Sequence, residues 1–498
     1  MEMVSGKLQV VAGTAERLFI KLADETAQDM DYVDTYLLCH SYFCSPAELL
    51  ENLMARFHLE ATPGEADYFE KWQRTIQVKV LNVISRWLKL QYEDFQCNEI
   101  LLQRLQAFLD GDIQRAGFRS EAALLRESIQ LQCARHARPV HTLITVAADP
   151  LLQTDRYLHA SSSPKTPLPK SSTKSSFVSR RPSGASSIFS FVSSITTPPE
   201  SPTLPNVSST SLSMFESKEI AQYLTLADFY YFKCISAFEF LNGTWRAGAQ
   251  AGNTMECNSS PSHSYVLRMT KRANMLSRWV AHETLVAKGM KQRRLMMRKF
   301  IDVARLCLGW NNYHTAMVIV MGLKSNSVQK LEEAWQSMPS RDLATMRSLE
   351  KLLDVSGNMR PYRTAFSSAK APAIPFFPIV LKDLTFFVEG NKTYLEDNST
   401  DVASSYTSMK DTRRPSPNEL SLINFAKFRT VTRFVTSMLA LTSENYSFAG
   451  LLETTPFFNL TAGFGVAPDM NTSIGPLDLL AQTIERRIQI VPTSHTSS

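Results

Sequence analysis

At 498 residues the chain is too long for one ordinary core, so its length points to two or three domains. A hydrophobic content of 44% is enough to build real cores, and the net charge of +6, from 53 basic against 47 acidic residues, is too mild to mark a nucleic-acid binder. No basic stripe with interleaved aromatics occurs, so nucleic acid is not expected as a partner.

The first 30 residues lack the charged start, apolar centre and small-residue cleavage site of a secretion signal. No run of about 18 apolar residues suggests a membrane span. The seven cysteines are scattered and never in C-x-x-C, which reads as reduced thiols in a cytoplasmic protein rather than zinc ligands or disulfides.

The N-terminal part reads helical. Tyr32, Val33, Tyr36, Leu37 and Phe43 recur at helical spacing. "SPAE" at 45–48 is a helix start: Ser45 caps, Pro46 suits the first helical position, and Glu48 returns the hydrogen bond. Leu49, Leu50, Leu53, Met54 and Phe57 follow. The run 76–95 places Val80, Val83, Ile84, Trp87 and Leu88 on one face, and further helices are expected at 98–110 and 120–133.

Residues 161–215 hold 19 Ser and 8 Pro but one acidic residue, Glu200. Such a stretch cannot bury enough apolar surface to offset its ordering entropy, and it reads as a disordered linker. Beyond it, "TLAD" at 225–228 resembles a helix start. The run 293–310 shows an apolar face through Leu295, Phe300, Val303, Ala304 and Cys307, and 314–323 is apolar enough for a buried helix. Polar insertions at 246–262 and 398–418 read as surface loops. No strand rhythm or fixed repeat appears.

Bond-making chemistry finds no foothold. "GLKS" at 322–325 lacks the glycine spacing of a phosphate loop and reads as a helix end. His282-Glu283 lacks a second His four residues after the first, because position 286 is Val. Gly463-x-Gly465 has no flanking strand and helix, and no G-x-S-x-G occurs. A transferase or hydrolase is disfavoured on these grounds, and no cofactor or metal is expected.

The C-terminal part resembles the Ras-type guanine-nucleotide exchange domain (the Cdc25-homology domain), and the N-terminal part resembles the REM module that accompanies it. The carrying segments are 31–57 "DYVDTYLLCHSYFCSPAELLENLMARF", 79–95, 220–235, 300–339 "FIDVARLCLGWNNYHTAMVIVMGLKSNSVQKLEEAWQSMP", "RPYR" at 360–363, "PFFPIVLKDLTFFVEGNKT" at 375–393, "LINFAKF" at 422–428 and "LDLLAQTIERR" at 477–487. They stand in the family's order. The resemblance implies an all-α fold: a helical REM bundle at 1–140, the disordered linker at 150–215, a helical catalytic domain with a protruding hairpin at 216–489, and a disordered tail at 490–498.

It also implies exchange activity on a Ras-family small GTPase, Ras or Rap rather than Ral, without bond chemistry. The segment after "PFF" would form a hairpin that wedges into the nucleotide site and opens the first switch loop, with the REM module holding it in place. Leu384, Thr385 and Glu389 would lie at the end that meets the phosphates and magnesium, and Gly390-Asn391 would end the helix. Asn311 and Phe376 would line the cleft for the second switch, with Ala304 where many relatives carry a larger apolar residue. "NNYH" departs from the commoner "NNFN" at His314, which alters the fine shape of that cleft.

The linker carries Arg180-Arg181-Pro182-Ser183, and Ser163, Thr166, Thr197 and Ser201 each precede Pro. A kinase acting there would add charge to a basic segment. Peripheral recruitment to the membrane where the GTPase resides is a further expectation. The alternative reading is a catalytically silent helical scaffold that binds a small GTPase.

Overall fold

The computed structural model describes residues 2–4, 7–24, 28–59, 66–137, 212–243, 264–395, 421–450 and 476–491. The expected linker up to residue 211, with its candidate phosphorylation sites, lies outside them, as do both polar insertions. The described residues are helical apart from two small antiparallel sheets. No helix among them is long and apolar enough to cross a membrane.

The chain forms two compact units. The first comprises Met1–Ala137, Asp228–Arg272 and Ala369–Asn445; the second comprises Arg138–Ala227, Ala273–Ser368 and Tyr446–Ser498. The described residues of the first unit therefore come from both sides of the linker.

In the first unit, helices Met30–Cys39, Pro46–Phe57, Ala66–Leu90, Glu99–Phe108 and Arg119–Ala137 build a bundle. Pro46–Phe57 starts as its sequence predicts: Ser45 Oγ accepts from the Glu48 amide at 3.2 Å, and Glu48 Oε2 accepts from the Ser45 amide at 2.8 Å. Its apolar stripe Leu49, Leu50, Leu53 and Phe57 is buried. Each such side chain removed from water contributes roughly 1.5–3 kcal/mol. The 76–95 run breaks in two, Ala66–Leu90 and Glu93–Gln96, where Trp87 Nε1 donates to buried Asp94 at 2.7 Å. Burial pushes the Asp94 carboxyl up from its ordinary range.

In the second unit, helices Met290–Gly309 and Tyr313–Leu323 pack on each other and on Ser340–Leu352. Tyr313–Leu323 is buried nearly all round, as its composition predicts. Gly322 lets it approach a neighbouring helix closely, since a Cβ there would stand 2.5 Å from the Ser277 carbonyl and 2.8 Å from Val280 Cβ. The closing helix Pro476–Ile490 is tied down by Arg487 donating to Glu283 at 2.7 Å and by Tyr223 donating to Glu485 at 2.7 Å.

Three expectations are corrected. "TLAD" is not a helix start but lies inside the helix Ser217–Lys233. Its polar groups serve tertiary contacts instead: Thr225 Oγ1 accepts from Asn312 at 3.0 Å, and Asp228 forms a buried pair with Arg272 at 2.7 Å. Leu295 is exposed, because the buried stripe of Met290–Gly309 runs through Met297, Phe300, Ala304 and Cys307. The reduced-thiol reading fails at Cys97, which is disulfide-bonded, whereas Cys39, Cys44, Cys133, Cys234 and Cys307 form no disulfide. Cys97 is exposed just after a short helix, and spacing along the sequence does not reveal a bond of that kind.

Candidate functional site

Four of the six candidate residues lie on a helical hairpin within the first unit. Its first helix is Phe377–Glu389 and its second is Phe425–Ala440, and the two pack together. Phe376 precedes the first helix in extended conformation, with Pro378 in the first turn, where a missing amide costs nothing. The ends of the hairpin are joined by strands Tyr394–Leu395 and Leu422–Asn424, and Ala12–Gly13 pairs with Leu422–Asn424 on its other side.

The first helix has two faces. Ile379, Val380, Leu381, Leu384 and Val388 are buried; Lys382, Phe386 and Glu389 are exposed, and Thr385 is half-buried. Leu384 is thus a core residue with no exposed surface. Thr385 Oγ1 donates to the Leu381 carbonyl at 2.8 Å, one turn back. Gly390 and Asn391 do end the helix, but not by the left-handed stop that a Gly-Asn pair suggests. Gly390 keeps φ −72° and its amide donates to Phe386 O at 2.8 Å. A Cβ at that position would stand 2.5 Å from the same oxygen. Asn391 Nδ2 caps the Phe387 carbonyl at 3.2 Å.

The second helix holds the hairpin against the N-terminal bundle. Tyr32 stacks on Phe425 with ring centres 4.6 Å apart, and Phe428 meets Tyr42 at 5.2 Å and Phe43 at 5.5 Å. Aromatic pairs of this kind add about 0.5–1.5 kcal/mol each beyond area burial. Cys39 Sγ lies 3.4 Å from Thr432 Oγ1, and burial pushes its thiol from the ordinary 9.0 up to about 12. Two buried cations add to this: Lys427 Nζ donates within the hairpin to Asn391 O at 2.8 Å and Thr393 Oγ1 at 2.9 Å, and Arg429 Nη1 reaches across to Val10 O at 2.9 Å. The N-terminal module therefore packs on the hairpin, as the resemblance implied.

The other two candidates lie in the second unit. Ala304 is fully buried in the helix Met290–Gly309. Asn311 follows that helix at φ 59°, a left-handed conformation that asparagine tolerates better than most residues, and its amide donates to the Leu308 carbonyl at 3.0 Å. Asn312 then caps the next helix, accepting from the Thr315 amide at 3.0 Å. Phe376, in the first unit, is also buried. Of the six candidates, Thr385, Glu389 and Asn311 have surface to offer a partner.

Sequence reasoning passed over Phe386 and Lys427. Phe386 is 68% exposed, four residues after Lys382 and three before Glu389. An aromatic on the polar face of a helix is the signal that marks it. Lys427 falls in register with buried Val431 and Val435, and a lysine in an apolar stripe is its signal.

Comparison with known proteins covers the same segments. The model of the RasGEF N-terminal motif matches residues 9–108, and that of the RasGEF domain matches residues 219–429. The chain thus carries the two matched domains of the Ras-type guanine-nucleotide exchange factors, in the order N-terminal motif then RasGEF domain. It is 28% identical to Ras guanine nucleotide exchange factor J of Dictyostelium discoideum, over 79% of this chain and 42% of the relative. It is 27% identical to Ras guanine nucleotide exchange factor I of the same organism, over 78% of this chain and 40% of the relative. It is 24% identical to Cell division control protein 25 of Candida albicans, over 99% of this chain and 31% of the relative. The chain spans less than half the length of these relatives. The RasGEF match takes in the first hairpin helix and ends in the second, at Arg429.

Proposed function

We propose that the chain accelerates the exchange of GDP for GTP on a Ras-superfamily small GTPase, with Ras or Rap as the partner. The observation that carries the reading is a RasGEF domain whose hairpin is mounted on the matched N-terminal motif, with Thr385 and Glu389 on its accessible side. Preorganisation of this kind suits a wedge, whose effect depends on being held rigidly.

No bond of the GTPase or nucleotide is broken. A side chain brought beside the metal site takes space and oxygen ligands from Mg²⁺, which requires near-octahedral oxygen coordination; Thr385 fills that role. The Glu389 carboxylate adds like charge beside the phosphates and competes for the backbone donors that cradle them. Leu384 contributes from the core, by fixing the helix that carries both. Asn311, Phe376 and Ala304 serve GTPase binding, Asn311 through its half-buried side chain and the other two by shaping the surfaces around them. A thousandfold faster release needs about 4 kcal/mol of preferential stabilisation of the release transition state. That gain is bounded by the difference in affinity for the empty and loaded GTPase. Membrane recruitment and phosphorylation of the 150–215 stretch belong to the same proposal; unchanged exchange and localisation in a phosphomimetic chain would remove the latter.

Release of a fluorescent GDP analogue from purified Ras, Rap and Ral proteins tests the reading. Acceleration on one of them, lost in Glu389→Ala, supports it. A folded chain that accelerates none overturns it in favour of a helical scaffold that binds a GTPase without exchanging its nucleotide.

A further inference from the structure

Lys427 is 6% exposed, and its helix turns it toward the turn that ends the first hairpin helix. Two of its acceptors are there, the Asn391 carbonyl and Thr393 Oγ1. Asn424 holds the same turn: its amide donates to the Thr393 carbonyl at 2.9 Å and its Nδ2 to the Lys392 carbonyl at 3.1 Å. Asn424 Oδ1 in turn accepts from the Lys427 amide at 3.2 Å, so the cap of the second helix and the lysine form one clamp. Burying an ammonium costs several kcal/mol unless its donors are satisfied, and an apolar side chain in register with Val431 and Val435 would carry no such cost. A cation at the C-terminal end of a helix is also favoured by the partial negative charge there.

What the clamp holds is Gly390–Thr393, which begins one residue after Glu389. We propose that Lys427 is a positioning residue for exchange: by pinning this turn it fixes where the first hairpin helix ends and so where the Glu389 carboxylate points. The inference rests on the exchange reading above and adds to it a residue that does not touch the GTPase.

The test uses the full chain and the GTPase that responds to it. Lys427→Met should lower the maximal rate of GDP release about tenfold or more, since small misplacements of an acting group cost at least that much. The half-saturating GTPase concentration should stay within about twofold, because the binding surface itself is untouched. Lys427→Arg should restore most of the rate. The double variant Lys427→Met/Glu389→Gln should be no slower than Glu389→Gln alone, because both act through one carboxylate. Thr393→Val removes one acceptor while leaving the lysine in place, and should give a smaller loss of the same kind even if Lys427→Met does not fold. Defects that multiply independently, or full activity in folded Lys427→Met or in Thr393→Val, would overturn the inference alone. A wild-type chain that accelerates no GTPase overturns the exchange reading and this inference with it.

Discussion

The two helices of the hairpin spend their polar residues in opposite ways. Phe377–Glu389 keeps Lys382 and Glu389 in solvent and even exposes an aromatic ring at Phe386. Phe425–Ala440 buries Lys427, Arg429 and Thr432 and commits them to Asn391 and Thr393, to Val10, and to Cys39. Buried charge is weak as a source of stability but good at fixing a single arrangement. The second helix is a mount, and the first is what it presents.

The comparison breaks most visibly at the mount. Phe428 is buried between Tyr42 and Phe43, and Phe428→Ala should destabilise the first unit by about 3–5 kcal/mol, the usual cost of removing a core ring. Denaturant unfolding measures it, and exchange should fall in parallel. A loss below about 1 kcal/mol would mean that these rings do not hold the hairpin. On the presenting side the pattern reverses. Glu389→Gln should leave unfolding within about 0.5 kcal/mol, as for an ordinary surface change. It should slow nucleotide release about tenfold to a hundredfold, the range expected when a charged contact is lost. Phe386→Ala should raise the half-saturating GTPase concentration about tenfold, as loss of an aromatic interface anchor does, with the maximal rate little changed. An unaltered titration would show that the exposed ring faces no partner.

Much of this division was legible in the sequence. The Ser45–Glu48 start, the Leu49–Phe57 stripe and the continuously apolar 314–323 run follow from local rules of capping and period, and the structure obeys them. The mount was less legible because its parts are distant in sequence. Val10 and Arg429, or Cys39 and Thr432, meet only through tertiary packing, and the two-residue strand Ala12–Gly13 is too short to show a period. "TLAD" misled for the same reason: Thr225 and Asp228 look like capping residues, but tertiary partners use them. Leu384 and Thr385 sit side by side in sequence, and only the direction of the helix face separates a buried side chain from a half-exposed one.

The smallest expected effect concerns Cys39, where the N-terminal bundle meets the mount. Burial outweighs the Thr432 hydrogen bond and raises the thiol to about 12, so the folded state keeps its proton where the unfolded chain loses it. The stability this gives is fully present below pH 9.0, the ordinary value, and is lost as pH rises toward 12. Unfolding measured at pH 8 and pH 10 should therefore show wild type losing about 1 kcal/mol relative to Cys39→Ala, since one unit of pKa difference is worth about that much. The alanine variant itself costs packing at both pH values, and only the difference between them carries the thiol. An equal gap at the two pH values would mean that solvent reaches Cys39 and that the interface between the bundle and the second hairpin helix opens readily. That result would weaken the contrast between a fixed mount and a presented helix at its base.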